Sequence, residues 1–376
     1  MKLNIRIKKE IQHSIERDTY LNHFSEIDCS LGSSPYGHSS SVDTALQSVD
    51  YKMLTSYQDM YFDPNLLSQI LKKWSQYGVS KTALFFGHGI YLLVERIMYK
   101  LLDISNGMLG YGPQFNEIPS EMQFAGGIYK GIPMTNNFEF PFEEMMEEIA
   151  INGIYAVIYI DNPNNPTGQI ISLDKIEKIV SLAEKKGICV IIDEAYGDFM
   201  HDEQSAFKLV CKYSNLVVIR SFSKAYGLAS MRASYCAVSD EIAPYFRKID
   251  VPFEPTLLSA IAANAAIGDQ VFLENVKKKV RAEKEIMIKG LRTLGFEVLP
   301  TDKNTSILCV YKKGMDVVKF FEECNVKVVS GVAFNKTNSI MDTSFARLRM
   351  PGSTVKCNEI LNRMEEVLNS KLSFIK

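Results

Sequence analysis

A lysine follows an apolar run and stands among hydroxyls. Asn215-Leu216-Val217-Val218-Ile219 leads through Arg220-Ser221-Phe222-Ser223 to Lys224, and Arg232 follows eight residues later. An amine at the carboxyl end of a buried strand is well placed to form an imine with an aldehyde cofactor. Ser221 and Ser223 could hold that cofactor's phosphate, with Arg232 adding a two-pronged contact. Taken alone, the motif also reads as a surface loop with an ordinary lysine and arginine. Two motifs upstream weigh against that. Tyr155–Ile160 runs into Asp161-Asn162-Pro163-Asn164-Asn165-Pro166-Thr167-Gly168, and Ile188–Ile192 runs into Asp193-Glu194-Ala195-Tyr196. Asn-Pro and Thr-Gly make turns and Asp-Glu is usually solvated, but Asp193 abuts five apolar residues and should be buried. A buried carboxylate needs a positive partner or several hydrogen bonds, and a pyridinium nitrogen is such a partner.

These residues need strands that end at a common edge, because open α/β sheets bind ligands at the carboxyl ends of their strands. The pattern predicts strands at 83–86, 155–160, 188–192, 216–219 and 235–238, nearly continuous apolar runs of the kind covered by helices on both faces. A helix is predicted from 172 to 186, stopped by Gly187. Another opens at Asp63-Pro64, with Leu66, Leu67, Ile70, Leu71 and Trp74 as its apolar stripe. Residues 1–50 read as irregular, with Ser-rich patches at Ser30–Gly37 and Ser39–Ser41. An amphipathic helix is predicted near 269–294. Strands near 297–299, 306–310, 326–329 and 346–350 and a closing helix near 358–369 then suggest a smaller α+β unit. The expected division is an N-terminal segment, 1–50, joining the small domain; a large cofactor-binding domain, 51–265; and a small domain, 266–376.

A chain of 376 residues can bury a large core, and a formal net charge of −2 gives no reason to expect nucleic acid or an anionic membrane. No apolar run approaches the roughly 20 residues of a membrane span. The charged start, Met1 to Glu10, has no signal core. Seven cysteines without a CxxC pair read as reduced thiols of a cytoplasmic protein, and five scattered histidines predict no metal site.

In this order the three motifs resemble the class I/II aminotransferases, the fold type I family of pyridoxal-phosphate enzymes, with the histidinol-phosphate aminotransferase branch most similar. The resemblance runs from about Ser30 to the end of the chain. It implies a mostly parallel mixed sheet covered by helices, pyridoxal 5'-phosphate as cofactor, an amino acid and a 2-oxo acid as substrates, and a homodimer with shared sites. Mapped by motif, Lys224 resembles the lysine that forms the internal aldimine and shuttles the Cα proton. Asp193 resembles the carboxylate that keeps the pyridine nitrogen protonated, which makes the ring an electron sink. Asn165 and Tyr196 resemble the pair that hydrogen-bond the ring's phenolic oxygen. Ser221, Ser223 and Arg232 resemble the phosphate clamp.

Phe86-Gly87-His88-Gly89-Ile90 sits where the family opens a phosphate-binding helix. His88 and Ile90 replace the usual acidic or hydroxyl residues, so only a backbone role carries over. In Tyr111-Gly112-Pro113-Gln114-Phe115, Phe115 resembles the aromatic that stacks on the ring, with core packing as the alternative. Tyr61 resembles the tyrosine that reaches the partner subunit's phosphate, or else staples a helix start. For the substrate carboxylate Arg347 is favoured over Arg349; the two share a strand face. Ser33-Ser34-Pro35-Tyr36-Gly37 lacks the branch's asparagine but keeps Tyr36 as a substrate-side residue. Val251–Thr256 carries Glu254 in a segment that, by the resemblance, passes near the substrate. A free carboxylate there would favour a basic or polar-neutral donor over a phosphorylated one; a solvated glutamate on a turn is the alternative. Decarboxylation, elimination or cyclisation, and oxidation on the same cofactor remain open. A regulatory cofactor-binding module is disfavoured, because about 50 irregular residues leave no room for a DNA-binding domain.

Overall fold

The structure, a computed structural model, describes residues 26–57, 64–152, 154–337 and 340–373. Strand β1 (Ile27–Asp28) opens the described chain. Seven strands build the main sheet: β2 (Leu84–Gly87), β3 (Met108–Gly112), β4 (Tyr129–Pro133), β5 (Val157–Asp161), β6 (Cys189–Glu194), β7 (Leu216–Ser221) and β8 (Ser234–Val238). Their order is β2-β8-β7-β6-β5-β3-β4. The pairs from β7 to β4 are parallel, and β8 runs against both its neighbours. Every residue of β5 is buried, as is all of β7, so the continuous apolar runs match a sheet covered on both faces.

Two strands escaped the sequence pattern. β3 reads Met-Leu-Gly-Tyr-Gly and β4 Tyr-Lys-Gly-Ile-Pro, so neither shows an apolar run or a clean alternation. Packing explains one of these glycines. A β-carbon at Gly110 would stand 2.7 Å from both the Tyr129 hydroxyl and Gln114 Oε1.

The N-terminal stretch is not irregular throughout. Ser40–Gln47 is a helix whose N-cap, Ser39, accepts from Ser41 N at 3.1 Å; the serines that suggested a loop are the cap itself. The helix at Pro64–Trp74 buries Leu66, Leu67, Ile70 and Trp74 as predicted. Gln270–Thr293 and Leu173–Lys185 also form as helices.

Beyond the long helix come β9 (Glu297–Val298), β10 (Ile307–Tyr311), β11 (Val326–Lys327), β12 (Val329–Ser330) and β13 (Phe345–Arg349), then the helix Thr354–Ser373. The order β12-β13-β10-β9 makes a four-stranded sheet, while β11 pairs in parallel with β1. The single strand predicted at 326–329 is therefore two short ones that serve different sheets.

Candidate active site

Strands β5, β6 and β7 run side by side and end together, with Asp161 opposite Asp193 and Glu194 opposite Arg220. Their ends open into a cavity of about 230 Å³. Eight predicted residues line it: Phe115, Asn165, Asp193, Tyr196, Ser221, Ser223, Lys224 and Arg232. The Lys224 ammonium lies 5.4 Å from the centroid of the Tyr196 ring. Asp193 accepts from Tyr159 OH at 2.6 Å and from Ala195 N at 2.8 Å. Burial pushes its pKa up to about 6 despite those two donors. A carboxylate so raised gains most from a cationic partner. The Tyr196 hydroxyl and the Asn165 side-chain oxygen are buried without a hydrogen-bond partner. Of the unsatisfied buried side-chain atoms among the described residues, these two line the cavity, where a ligand is placed to complete their hydrogen bonds.

At the other end of the cavity the groups suit an anion. The helix Ile90–Lys100 begins there, and its N-cap, Gly89, offers no capping side chain. Its first-turn N–H groups therefore suit a phosphate. A β-carbon at Gly89 would collide with the Arg232 guanidinium. Arg232 itself adopts a left-handed backbone, φ 50°. Ser221 Oγ donates to Ser223 Oγ at 2.9 Å. Gly87 contributes backbone, its carbonyl accepting from Ser234 Oγ at 3.0 Å. His88 turns away from this pocket, its Nε2 3.6 Å from Glu254 Oε1.

Three predicted substrate-side residues are engaged elsewhere, and a fourth, Arg347, in part. Glu254 is buried and ion-paired with Arg96, which also reaches Asp250 Oδ1 at 3.4 Å. It is neither a free charge facing a substrate nor a solvated turn residue, so the preference for a basic donor loses its basis. The Tyr36 hydroxyl donates to Glu283 Oε2 at 3.1 Å, on the long helix, instead of lining the cavity. Arg349 donates to the carbonyls of Leu31 (2.8 Å), Met350 (3.0 Å) and Asp28. Arg347 donates to Ser30 O but keeps a buried Nε without a partner. Tyr61 lies outside the described residues.

Other residues of the site were missed. Gly32, read only as loop, lies so near Lys224 that a β-carbon would stand 2.5 Å from its Nζ and 2.9 Å from Tyr196 OH. Glu194, read as half of a solvated acidic pair, is fully buried and binds Arg220 Nε at 2.8 Å; Asp198 holds Arg220 Nη1 at 2.7 Å. Its place beside Asp193 on a buried strand end was the available signal. Lys284 is buried at the junction with the Asn164–Gly168 turn. It donates to Thr301 Oγ1, Asp302 O, Thr305 O, Thr305 Oγ1 and Ile307 O at 2.6–2.9 Å. Thr305 Oγ1 in turn donates to Gly168 O at 2.9 Å. No signal marked Lys284 except its place on a helix predicted to be amphipathic.

The sequence pattern of the aminotransferase class I and II family matches residues 27–364. The chain is 32% identical over 257 residues to the histidinol-phosphate aminotransferase of Lactiplantibacillus plantarum, which covers 68% of this chain and 70% of that one. It is 27% identical over 340 residues to that of Geobacillus sp., covering 90% and 88%. By fold it is similar to the Sinorhizobium meliloti histidinol-phosphate aminotransferase in complex with pyridoxal-5'-phosphate (TM-score 0.80, 19% identity, 97% and 98% covered). The Thermus thermophilus aspartate aminotransferase with maleate is also similar (TM-score 0.77, 18% identity, 92% of each chain).

With the fold and the cavity in view, the chain belongs to the class I and II aminotransferases. Within that family it is similar to the histidinol-phosphate branch, and its activity is pyridoxal-phosphate-dependent transfer of an amino group. The cavity suits that cofactor: a primary amine, a buried carboxylate of raised pKa, two unsatisfied polar atoms and an anion-binding end all face one space.

Proposed function

We propose that this cavity is the catalytic site, that Lys224 carries the cofactor, and that the substrates are an amino acid and a 2-oxo acid. The observation that carries the reading is the pair of buried, partnerless polar atoms, Asn165 Oδ1 and Tyr196 OH, beside Lys224 and Asp193. Pyridoxal phosphate, when bound, supplies an aldehyde for the amine and a ring that withdraws electrons. Asp193 would hold the ring nitrogen's proton. Asn165 and Tyr196 would hydrogen-bond the phenolic oxygen, and Phe115 would lie against the ring face. Ser221, Ser223, Arg232 and the backbone at Gly87–Gly89 would bind the phosphate. Lys224 Nζ would take the proton from the substrate's α-carbon and return it. Arg347, with its unsatisfied Nε, would bind the anionic group beside the reacting carbon. Arg349, whose guanidinium donates to three carbonyls, would hold the N-terminal segment.

The same reading makes the protein a homodimer. Tyr51, Met53, Leu54, Tyr57 and Phe253 are exposed, and Tyr57 stacks on Phe253 with ring centroids 4.7 Å apart. Such an apolar cluster suits a subunit interface, and Tyr61 of the partner would complete each phosphate site. Seven free cysteines suit a reducing compartment, the cytoplasm. The division into an N-terminal segment, a large domain and a small domain belongs to the same proposal, with β1 joining the segment to β11.

The experiment is a visible spectrum of the protein reconstituted with pyridoxal phosphate, followed by a donor panel that includes aspartate, basic amino acids and histidinol phosphate. Loss of the imine band with one donor and its return with a 2-oxo acid is the expected result. Borohydride should fix the cofactor on Lys224; a different lysine recovered by peptide mass would overturn the assignment. Sedimentation of a monomer at micromolar concentration would remove the shared site.

A further inference from the structure

One carboxylate in the cavity wall has no part in that reading. Asp161 ends β5, is 4% exposed, and is met by five donors from two segments of chain. Tyr111 OH (2.9 Å), Gln114 Nε2 (3.2 Å) and Asn164 Nδ2 (3.3 Å) reach Oδ1. The backbone N–H groups of Asn165 (2.9 Å) and Phe115 (3.4 Å) reach Oδ2. Asn165 and Phe115 are the two residues assigned above to the edge and the face of the cofactor ring. They come from different turns, 50 residues apart in sequence, and Asp161 is the group that ties both backbones to one point.

We propose that Asp161 is a positioning residue that fixes Phe115 and Asn165 relative to each other around the cofactor ring. The inference rests on the roles given to those two residues above.

An ionised carboxylate offers only acceptors, and backbone N–H groups can only donate. No isosteric amide can replace it. An asparagine side chain would have to aim its N–H₂ either at the two backbone donors or at the Oδ1 set. Nor can the neighbouring amides turn over to accept. Asn164 Oδ1 already receives Thr167 N at 3.0 Å and Thr167 Oγ1 at 2.5 Å, and Gln114 Oε1 receives Tyr129 OH at 3.1 Å. Burial pushes the Asp161 pKa up, and the Asn165 N–H and the side-chain donors act against that rise. Losing the carboxylate therefore strands buried donors, and the turns that carry them must move.

The test uses protein reconstituted with pyridoxal phosphate and reads the pH midpoint of the bound cofactor's visible absorbance, which the hydrogen bond from Asn165 should hold low. Asn165→Ala tests the underlying role and should raise the midpoint. Asp161→Asn should raise it by about one pH unit, a tenfold change in the proton equilibrium, and weaken cofactor binding roughly tenfold. In the Asn165→Ala background the same change should add little, because coupled residues are not additive. A midpoint in Asp161→Asn within about 0.2 unit of wild type, with Asn165→Ala shifted, would reduce Asp161 to a structural turn residue. An undiminished shift in the double variant would mean that Asp161 acts by its own charge. No shift in Asn165→Ala would overturn the role of Asn165, and this inference with it. Asp161→Ser, which leaves room for water beside the donors, carries the same test should Asp161→Asn fail to fold.

Discussion

The backbone of Gly32 lies so close to the side chain of Lys224 that a β-carbon at residue 32 would stand 2.5 Å from Nζ. The nearest atom it would meet is the far end of a flexible chain and the next, at 2.9 Å, is the Tyr196 hydroxyl, so the collision would be relieved by moving side-chain ends rather than the fold. Gly32→Ala is therefore expected to leave the unfolding midpoint nearly unchanged. Activity should fall at least tenfold, which corresponds to about 1.4 kcal/mol. Steady-state kinetics beside a thermal melt checks this; unimpaired kcat would mean the amine has room to spare.

Lys224→Ala should fold normally and bind pyridoxal phosphate only reversibly, with the imine absorbance gone. Dialysis followed by a spectrum decides the matter, since the variant should lose cofactor that wild type retains.

Asp193 gives a pH prediction in the cofactor-free protein. Its folded pKa is raised from 3.8 to about 6, chiefly by burial. The folded state therefore holds this proton more tightly than the unfolded chain. The stability that comes from protonation is present below pH 3.8 and is lost as pH rises through about 6. The loss amounts to roughly 3 kcal/mol. Asp193→Asn, which cannot ionise, should be increasingly more stable than wild type between pH 4 and 7. Adding pyridoxal phosphate should shrink the gap by giving the carboxylate a cationic partner. Equal pH slopes for the two apoproteins would contradict this.

Glu254→Gln should leave the relative kcat/KM for basic, neutral and phosphorylated donors unchanged, because its charge is spent on Arg96. Stability should drop by about 1–3 kcal/mol, the scale of weakening a buried charge-assisted pair, because Asp250 still stands beside Arg96. A changed donor preference at constant stability would return this residue to the substrate.

Lys284→Met would take the shared donor from five oxygens around the Thr301–Ile307 turn, some of which keep a second partner. At about 1–3 kcal/mol for a stranded buried acceptor, a loss of roughly 3 kcal/mol or more is expected in urea titrations. Cofactor affinity should fall too, because Thr305 holds the Gly168 carbonyl of the Asn165-bearing turn. A shift of a few tenths would show that water replaces the ammonium.

That these residues share one cavity was legible because they sit at strand ends, where local sequence carries both the apolar run and the polar motif that follows. Asp193, Asn165 and Lys224 are read that way. β3 and β4 were not legible, since their glycines answer to side chains arriving from other segments, as Gly110 does to Tyr129. The substrate end was the least legible. Whether Arg349 faces a substrate or the carbonyls of Asp28 and Leu31, and whether Glu254 is free or paired with Arg96, depends on contacts across more than 150 residues of chain. No short motif records such a contact.

The roof over Lys224 is anchored remotely. Ile27 and Asp28 pair with Val326 and Lys327, Arg349 N donates to Cys29 O at 2.8 Å, and Arg347 and Arg349 grip the carbonyls of Ser30 and Leu31. Gly32 is the next residue along this cantilever, clamped to the two small C-terminal sheets while its tip rests over an amine fastened to the main one. A slip of an ångström between them and the main sheet would be delivered to Nζ almost undiminished, which makes the seating of the C-terminal sheets a mechanical setting of the lysine.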